Sequence, residues 1–461
     1  MIQGLNGITT ARGLPADVAA KAAKLVETLN AASGDIGTKQ SYYDNSVSVK
    51  SLGLSLPRDF AQKLNVSCSW PATCVNVLAN RSRFQGFSFA TGYENAAFDA
   101  LMRDDDFALM YTKAVTSELV CGCGFWTLAM GTDGRPHARF HNAHTATALW
   151  DGARNGVSCG LAIIDGRTSN HDNTWRPSLV NIYTDNATWI CSRDGDTERW
   201  SATEVPTPMG RPLIEPMVYR PDDDSPFGHS RISRSVRDLS QSYMREMQRL
   251  DIGAELFTSP QKALLGADSS QLGMDKLTAY VTNVLCVGKD DDGDIPSLIQ
   301  LAAASMQPHL DVIRELGRQF CGSTGCAMSD IGLVQDNSYQ TSKEPIIIEA
   351  DSLNATNGRA LRNVALMALA MLEGVSLAEL TDEQRAVRPV FASTVNANPA
   401  ALADYAVKVV QVAPYYAETR DFWRELGKTE DEIDAIEASK RQAESAAVIR
   451  AAITGGGNGN D

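Results

Sequence analysis

A chain of 461 residues, 43% hydrophobic and 21% charged, has the composition of a folded protein with room for about three domains and a sizeable core. Its formal net charge of −14 argues against a protein whose whole surface grips nucleic acid, since such surfaces neutralise phosphates with clustered Lys and Arg. There is no apolar run of about 18 residues to span a membrane and no signal core in MIQGLNGITTARG, and nine cysteines without framework spacing fit reduced thiols in a cytoplasm.

In chain order, 14–30 (LPADVAAKAAKLVETLN) reads as a helix with Pro15 in its first turn. The alternation of Val47 and Val49 then suggests a short strand. VNVLANRSRFQGF (75–87) reads as a helix running into a strand, and 95–119 as a helix broken at Asp104, Asp105 and Asp106. From 124 to 206 the signals are hairpins. FWTLAM, ARFHNAH, TATALW, GLAIID, LVNIYT, TWICSR and RWSATEV are separated by GTDG, DGARNG, Asp185-Asn186 and RDGD, the turn chemistry of antiparallel strands. This predicts an N-terminal α+β unit that ends in the proline-rich linker VPTPMGRPLIEP.

The next segment, 226–268, opens with the turn signal of Pro226 and Gly228 and a candidate N-cap at Ser230. Ile232, Val236, Leu239, Tyr243, Met247, Leu250 and Ala254 recur in steps of three and four, so one stripe of a helix is apolar. The other faces carry Arg231, Arg234, Arg237, Arg245 and Arg249, with Asp238, Glu246 and Asp251 between them. A helix from 230 to about 255 would be roughly 35–40 Å long. After it come a short helix at 274–280, the strand VTNVLCVG and the acidic turn GKDDDGD. A second helix at 306–320 places Leu310, Ile313, Leu316 (or Gly317) and Phe320 on one face. The two helices could lie antiparallel, with a small cap at their far end.

CGSTGCAMSDIGLVQDNSYQ is then a long loop, and loops of that length are usually functional. Thr341 to Glu344 forms a capping box with Pro345 in the first turn. The helix it opens runs to about 372, and Asn357-Gly358 suggests a bend inside it. A strand RPVFAS (388–393), a helix from 398 to 412, another at 415–426 and a last one from the capping box at 429–432 to about 453 complete the chain. GGGNGND reads as a disordered tail.

Three groups of residues carry superficial chemical signatures. His137, His141 and His144, near Cys121 and Cys123, have neither finger nor H-E-x-x-H spacing, and strand alternation splits them between two faces. The run Asp290, Asp291, Asp292, Gly293, Asp294 fails the calcium-loop register, which would need an acidic residue at Gly288 and a glutamate at Ile299. Gly427-Lys428-Thr429 lacks the upstream glycine of a phosphate loop, since Phe422 stands there. No catalytic, metal or cofactor-binding set is predicted.

The order of parts says more than any one motif. PFGHSRISRSV, an arginine-studded helix, Glu255 and SPQKALLGAD closely resemble the portal proteins of tailed double-stranded DNA phages, the family that includes those of long-tailed phages. The pair Tyr42-Tyr43, then SLP, Trp70 and the run to Gly86-Phe87 follow the same pattern, as does the Gly332-Leu333 loop leading into a long helix. The resemblance implies an α+β portal-type fold: a wing (1–226), a stem helix (227–254), a small α/β clip (255–305) and a return stem helix (306–321). A tunnel loop with a long kinked wing helix (322–396) and a helical crown (397–461) would follow.

The resemblance also implies a structural role and not an enzymatic one, without cofactor or metal. The particle would be a closed ring, usually of twelve subunits, at one capsid vertex of the virion, assembled in the host cytoplasm. Double-stranded DNA would pass through it without sequence specificity during packaging and ejection. Arg231, Ile232, Arg234, Val236, Leu239, Tyr243, Met247, Leu250 and Glu255 would form the stem and subunit interface. Ser329, Asp330, Gln335, Asn337, Tyr339, Gln340 and Lys343 would face the DNA channel. Lys289, Asp290, Asp291, Asp292 and Asp294 would dock the terminase packaging motor and later the head–tail connector, while the wing would meet the major capsid protein and a scaffold. The alternatives are another virion connector ring and a cytosolic α+β metal-dependent enzyme.

Overall fold

The computed structural model describes residues 4–50, 66–89, 93, 95–131, 134–168, 173–193, 199–258, 262–265, 297–300, 305–333, 344–394, 399–428 and 430–455. Helix α1 is Ala16–Tyr43, well beyond the expected end near residue 30. Glycines at 34 and 37 each cost a helix about 1 kcal/mol relative to Ala. Here Thr38 and Ser41 donate hydroxyl hydrogen bonds to the Gly34 and Gly37 carbonyls, both at 2.9 Å, and Ile36 and Tyr42 are buried. The strand expected at Val47 and Val49 does not form; residues 46–50 have no regular structure.

Helix α2 (Trp70–Ala79) leads into β1 (Phe84–Phe89). The acidic break is real: α3 (Ala96–Asp104) and α4 (Phe107–Cys121) are separate helices, joined through Asp106 at a left-handed φ of 48°. All seven expected strands form, as β2 (Cys123–Met130), β3 (Pro136–Asn142), β4 (Ala146–Asp151), β5 (Gly156–Thr168), β6 (Trp175–Tyr183), β7 (Ala187–Arg193) and β8 (Trp200–Pro206). The supposed linker contains an eighth, β9 (Ile214–Val218). Then come α5 (Arg234–Thr258), β10 (Lys262–Leu265), β11 (Ser297–Gln300) and α6 (Gln307–Thr324). The C-terminal part is α7 (Glu344–Glu373), the short α8 (Asp382–Arg385), β12 (Val387–Phe391), α9 (Pro399–Val412), α10 (Arg420–Glu425) and α11 (Glu430–Gly455). The helix at 274–280, the strand VTNVLCVG and the tail from 456 lie outside the described residues.

The chain forms two units. The first comprises Met1–Tyr43, Ala72–Ser233 and Ser342–Asp461. Its five-stranded antiparallel sheet runs in the order β4-β5-β6-β7-β8. Alternate residues of three strands (Leu161 and Ile163, Val180 and Ile182, Trp189 and Cys191) meet Val18, Ala22, Leu25 and Leu29 of α1 in one apolar core. The period of two on the sheet meets steps of three and four on the helix, so each element buries one face. A three-stranded sheet, β3-β2-β9, packs against α4 and α7. At its centre Trp126 stacks on Phe107 with ring centroids 4.6 Å apart. Finally β1 pairs antiparallel with β12, and Phe84, Phe87, Phe98 and Phe107 join in an aromatic cluster beneath them.

The second unit comprises Asp44–Pro71 and Arg234–Thr341. Residues 44–71, read from sequence as part of the N-terminal wing, thus group with α5 and α6. Those two helices pack together, and β10 pairs antiparallel with β11.

Candidate functional site

The place to look is the long α5–α6 pair and the two turns at its ends. Where the chain leaves the first unit, residues 225–233 are not helical, so Ser230 is not the N-cap of α5. Its hydroxyl instead donates to the Val120 carbonyl at 2.6 Å, and the Arg231 amide donates to Leu119 O at 2.9 Å. Gly228 sits at φ +71° with the Tyr219 backbone against it, where a side chain has no room. Arg231 is almost wholly buried. Its Nε donates to Cys74 O at 2.7 Å, and its Nη1 lies 2.9 Å from Tyr219 Oη and 2.6 Å from Glu349 Oε1 of α7. Burial opposes the arginine charge, but Tyr219 and Glu349 outweigh it and its pKa is raised. Arg220 reaches the same Glu349 oxygen at 2.8 Å.

This corrects the interface assignment. Arg231 and Ile232 are buried by their own chain, as is Val236, so a neighbouring copy cannot reach them. In α5 the fully buried positions are Val236, Ser240, Gln241, Met244, Glu246 and Gln248, while Leu239, Tyr243, Met247 and Leu250 are half-buried and Arg234 is exposed. The expected stripe is therefore the margin of the covered face. Polar residues occupy much of its centre because they have partners: Ser240 Oγ donates to Val236 O at 2.7 Å, and Gln241 bridges the backbone of Ser48 and Lys50. Glu255 lies in α5 near its end.

Two contacts of the second unit join α5 to α6. Glu246 accepts from His309 Nδ1 at 2.5 Å and from Arg249 at 2.9 Å. Trp70 bridges Tyr243 and Phe320, with centroids 4.3 and 5.2 Å away. His309 begins α6 and Phe320 lies near its end, so contacts run in opposite order along the two helices, as expected for an antiparallel pair. The buried face of α6 is Ile313, Gly317, Phe320, Cys321 and Thr324. Leu310, expected on that face, is 37% exposed, because Phe320 and Ile313 already fill it and Leu310 lies on the helix flank.

Past α6 the chain turns tightly. Gly325, at φ +70°, caps the helix by donating to Cys321 O at 2.8 Å. Asp330 Oδ2 accepts the Ala327 amide at 2.9 Å, and the Leu333 amide donates to Met328 O at 3.0 Å. The Leu333, Ile331 and Met328 side chains close over Gly317, which leaves no space there for a Cβ. Asp330 is thus occupied in shaping the turn, whereas Ser329 is exposed. Gln335, Asn337, Tyr339, Gln340 and Lys343 lie outside the described residues, as do Lys289, Asp290, Asp291, Asp292 and Asp294.

The histidines near the cysteines make local bonds. His137 Nδ1 is 2.9 Å from Asp105 Oδ1, and His141 Nε2 is 3.1 Å from Thr127 Oγ1. Burial, with Arg139 beside it, pushes His141 down to about 4. Among the described residues no group of three His, Cys, Asp or Glu side chains could hold a metal. Sequence reading missed Tyr219, Glu349 and His309, and named Trp70 only as a landmark in the motif order. Each acts through a partner tens to hundreds of residues away, and only the FGHSR turn hinted that something there was fixed.

Two curated relatives are similar to this chain over most of its length. The portal protein of Mycobacterium phage L5 is 23% identical over 362 residues, covering 74% of this chain and 69% of that protein. That of Mycobacterium phage D29 is 21% identical over 392 residues, covering 78% and 76%. The chain is a homologue of phage portal proteins. No family model matches it. Among solved structures, a chain from the virion of a native gene transfer agent particle aligns at 12% identity over 78% of this chain and 89% of that one, with a TM-score of 0.40. A chain from the neck of the same kind of particle, computed with C12 symmetry, aligns at 13% over 74% and 84%, also with a TM-score of 0.40. Likenesses of that size carry no weight here.

Proposed function

We propose that this chain is the subunit of a portal ring at one capsid vertex of a tailed-phage virion, with double-stranded DNA packaged and ejected through its bore. The supporting observation is the alignment with two phage portal proteins over about three-quarters of the chain. The order of elements agrees with it: an anchored exit turn, the long α5, a small hairpin β10–β11, the returning α6, a tight turn and the long α7. On this reading α5 and α6 are the stem, 255–305 the clip, the first unit the wing, and α9 to α11 the crown. Arg234, Leu239, Tyr243, Met247 and Leu250 remain reachable for a neighbouring copy. A single chain also leaves Tyr405, Val407, Val410 and Val412 of α9 in water, apolar surface of the kind that assembly covers.

Copies related by one repeated rotation close into a ring only if each presents two complementary surfaces. Charge ladders such as Arg234–Asp238, Arg314–Asp311 and Arg318–Glu315 supply exposed partners of both signs. The role is structural, with no bond made or broken by the chain. Ser329 with Gln335, Asn337, Tyr339, Gln340 and Lys343 would touch the passing duplex. Lys289, Asp290, Asp291, Asp292 and Asp294 would dock the packaging motor and the connector, and the wing would meet the capsid protein and scaffold.

The test is the particle mass with an image of the purified chain. Twelve copies of 49.8 kDa give about 600 kDa in a closed ring. A chain that stays a folded monomer when concentrated would sink the reading. Deleting 335–340, beyond the turn that packs on Gly317, is expected to spare assembly and impair packaging; unimpaired packaging would remove these residues from the channel.

A further inference from the structure

Two depressions of the first unit differ in chemistry. The larger, about 660 Å³, is lined by Trp150, Arg154, Asp185, Arg211, Glu215 and Asn363 among others. Its lining mixes both signs and pairs much of the charge: Arg154 with Asp185 at 2.8 Å and Arg211 with Glu215, to which Asn363 donates at 2.7 Å, while Asp222 and Asp223 add further negative charge.

The smaller is a shallow groove of about 470 Å³ between α7 and β12. Its lining is Asn354, Ala355, Gly358, Arg359, Arg362, Asn363, Arg388, Pro389 and Phe391. In a chain of net charge −14, this lining holds three arginines and no carboxylate. The three arginines are exposed. Arg362 donates to a backbone carbonyl, Arg385 O at 2.7 Å; Arg359 donates to Asn155 O at 3.3 Å, and its charge also acts on the buried Glu215 without an ion pair between them. No partner of the Arg388 side chain occurs among the described residues. Glu215 of β9 and Asp351 of α7 are engaged elsewhere, Glu215 with Arg211 and Asp351 with the Thr394 hydroxyl at 2.7 Å.

We infer that this groove binds the phosphodiester backbone of duplex DNA, through Arg359, Arg362 and Arg388. Guanidinium groups free of carboxylates are forks for bidentate contact with phosphate oxygens. Arg359 and Arg362 are one helical turn apart on α7, so they can straddle successive charges, and Arg388 faces them from β12. The groove is open and shallow, which suits a rod-like polyanion. An extended acidic peptide would instead add to the free edge of β12, but Pro389 stands in the middle of that strand, opposite Phe87. A proline blunts an edge by removing the donor a new strand would need. Contact with phosphates alone carries no base information, so binding is independent of sequence. This site is separate from the proposed channel loop, and it deepens the portal reading without requiring a closed ring.

The experiment is an anisotropy titration of a short labelled duplex with the full chain over a series of salt concentrations. Three phosphate contacts give a log–log salt slope of about −3. Changing Arg359, Arg362 and Arg388 together to Gln is expected to lower affinity at least about tenfold at low salt and to flatten the slope by about 2 or more. Arg388→Glu alone, at an exposed position, is expected to weaken binding in the same direction with an unchanged melting temperature. Particle mass is read on the same samples, so a defect in ring formation is told apart from loss of this contact. Unchanged affinity and slope in both variants would overturn the inference. So would polyglutamate that displaces the duplex at equal charge, since the groove would then be a peptide site.

Discussion

Arg231 and Glu349 meet where water is excluded, and removing one partner of such a pair strands the other. Arg231→Ala is expected to cost about 3–5 kcal/mol of stability, read by urea denaturation. Arg231→Lys should recover only part of this, because an ammonium cannot serve Cys74 O, Tyr219 and Glu349 with one planar fork. A variant that folded normally and lost only assembly would return Arg231 to the subunit interface. Glu118 of α4 offers a second test. It is fully buried, and Asn357 Nδ2 donates to its Oε2 at 2.9 Å and to Tyr111 Oη at 3.1 Å, while Ser82 and Tyr111 hydroxyls meet at 2.6 Å. Glu118 Oε1 and Asn357 Oδ1 have no partner among the described atoms. Burial pushes the Glu118 pKa from 4.5 up to about 8, although the Asn357 bond pulls it down. The folded state thus holds a proton that the unfolded chain releases at lower pH. The stability this confers is whole below about pH 4.5 and is lost as pH rises through about 8. Glu118→Gln should flatten that decline between about pH 5 and pH 9; an equally steep decline in the variant would place the titration elsewhere. None of this was legible beforehand, since Arg231 and Glu118 look like surface residues when only helical spacing is known.

Elements were far easier to read than their ends or their covered faces. Turn chemistry located the β2–β3, β4–β5, β6–β7 and β7–β8 hairpins because Asn, Asp and Gly clusters act locally, as at Asp151, whose carboxylate accepts the Ala153 amide at 3.0 Å. Distance defeated the rest. Nothing local announces that β1 pairs with β12 across some three hundred residues, or that β9 completes a sheet from inside a proline-rich stretch. The α5 stripe failed for another reason: apolar periodicity assumes that polar residues face water, yet Ser240, Gln241 and Glu246 are buried with partners. Gly358 is the instructive glycine. The α-helix continues through it, and a Cβ would lie 3.5 Å from Phe391 and Pro389, an ordinary contact. Gly358→Ala is therefore expected to stabilise the protein by about 0.5–1 kcal/mol, seen as a higher melting temperature; a loss would mean that a bend there is needed. Gly317 is its opposite, since the Leu333 side chain already fills the space. Gly317→Val should cost about 1–3 kcal/mol and expose the 325–333 turn to protease, whereas wild-type resistance would show that the turn adapts.

At the scale of the molecule, family and order of parts were readable because they depend on a sequence of signals and not on any one contact. The proposed ring would be a matter of mass action among copies, so its formation is expected to depend on protein concentration and, through the exposed charge ladders of α5 and α6, on salt. Sedimentation at low and high ionic strength checks this; an indifferent ring would show that apolar contacts alone close it. One feature of the first unit links its two ends. Glu349, which holds the exit turn, and Arg362, in the basic groove, belong to the same unbroken α7, roughly 20 Å apart at 1.5 Å per residue. A helix packed along four strands is a beam, stiff against bending and poor at absorbing displacement. Tension on the exit turn therefore tugs one end of a girder whose other end touches the polyanion, so a pull at the first is felt at the second without any signal needing to diffuse between them.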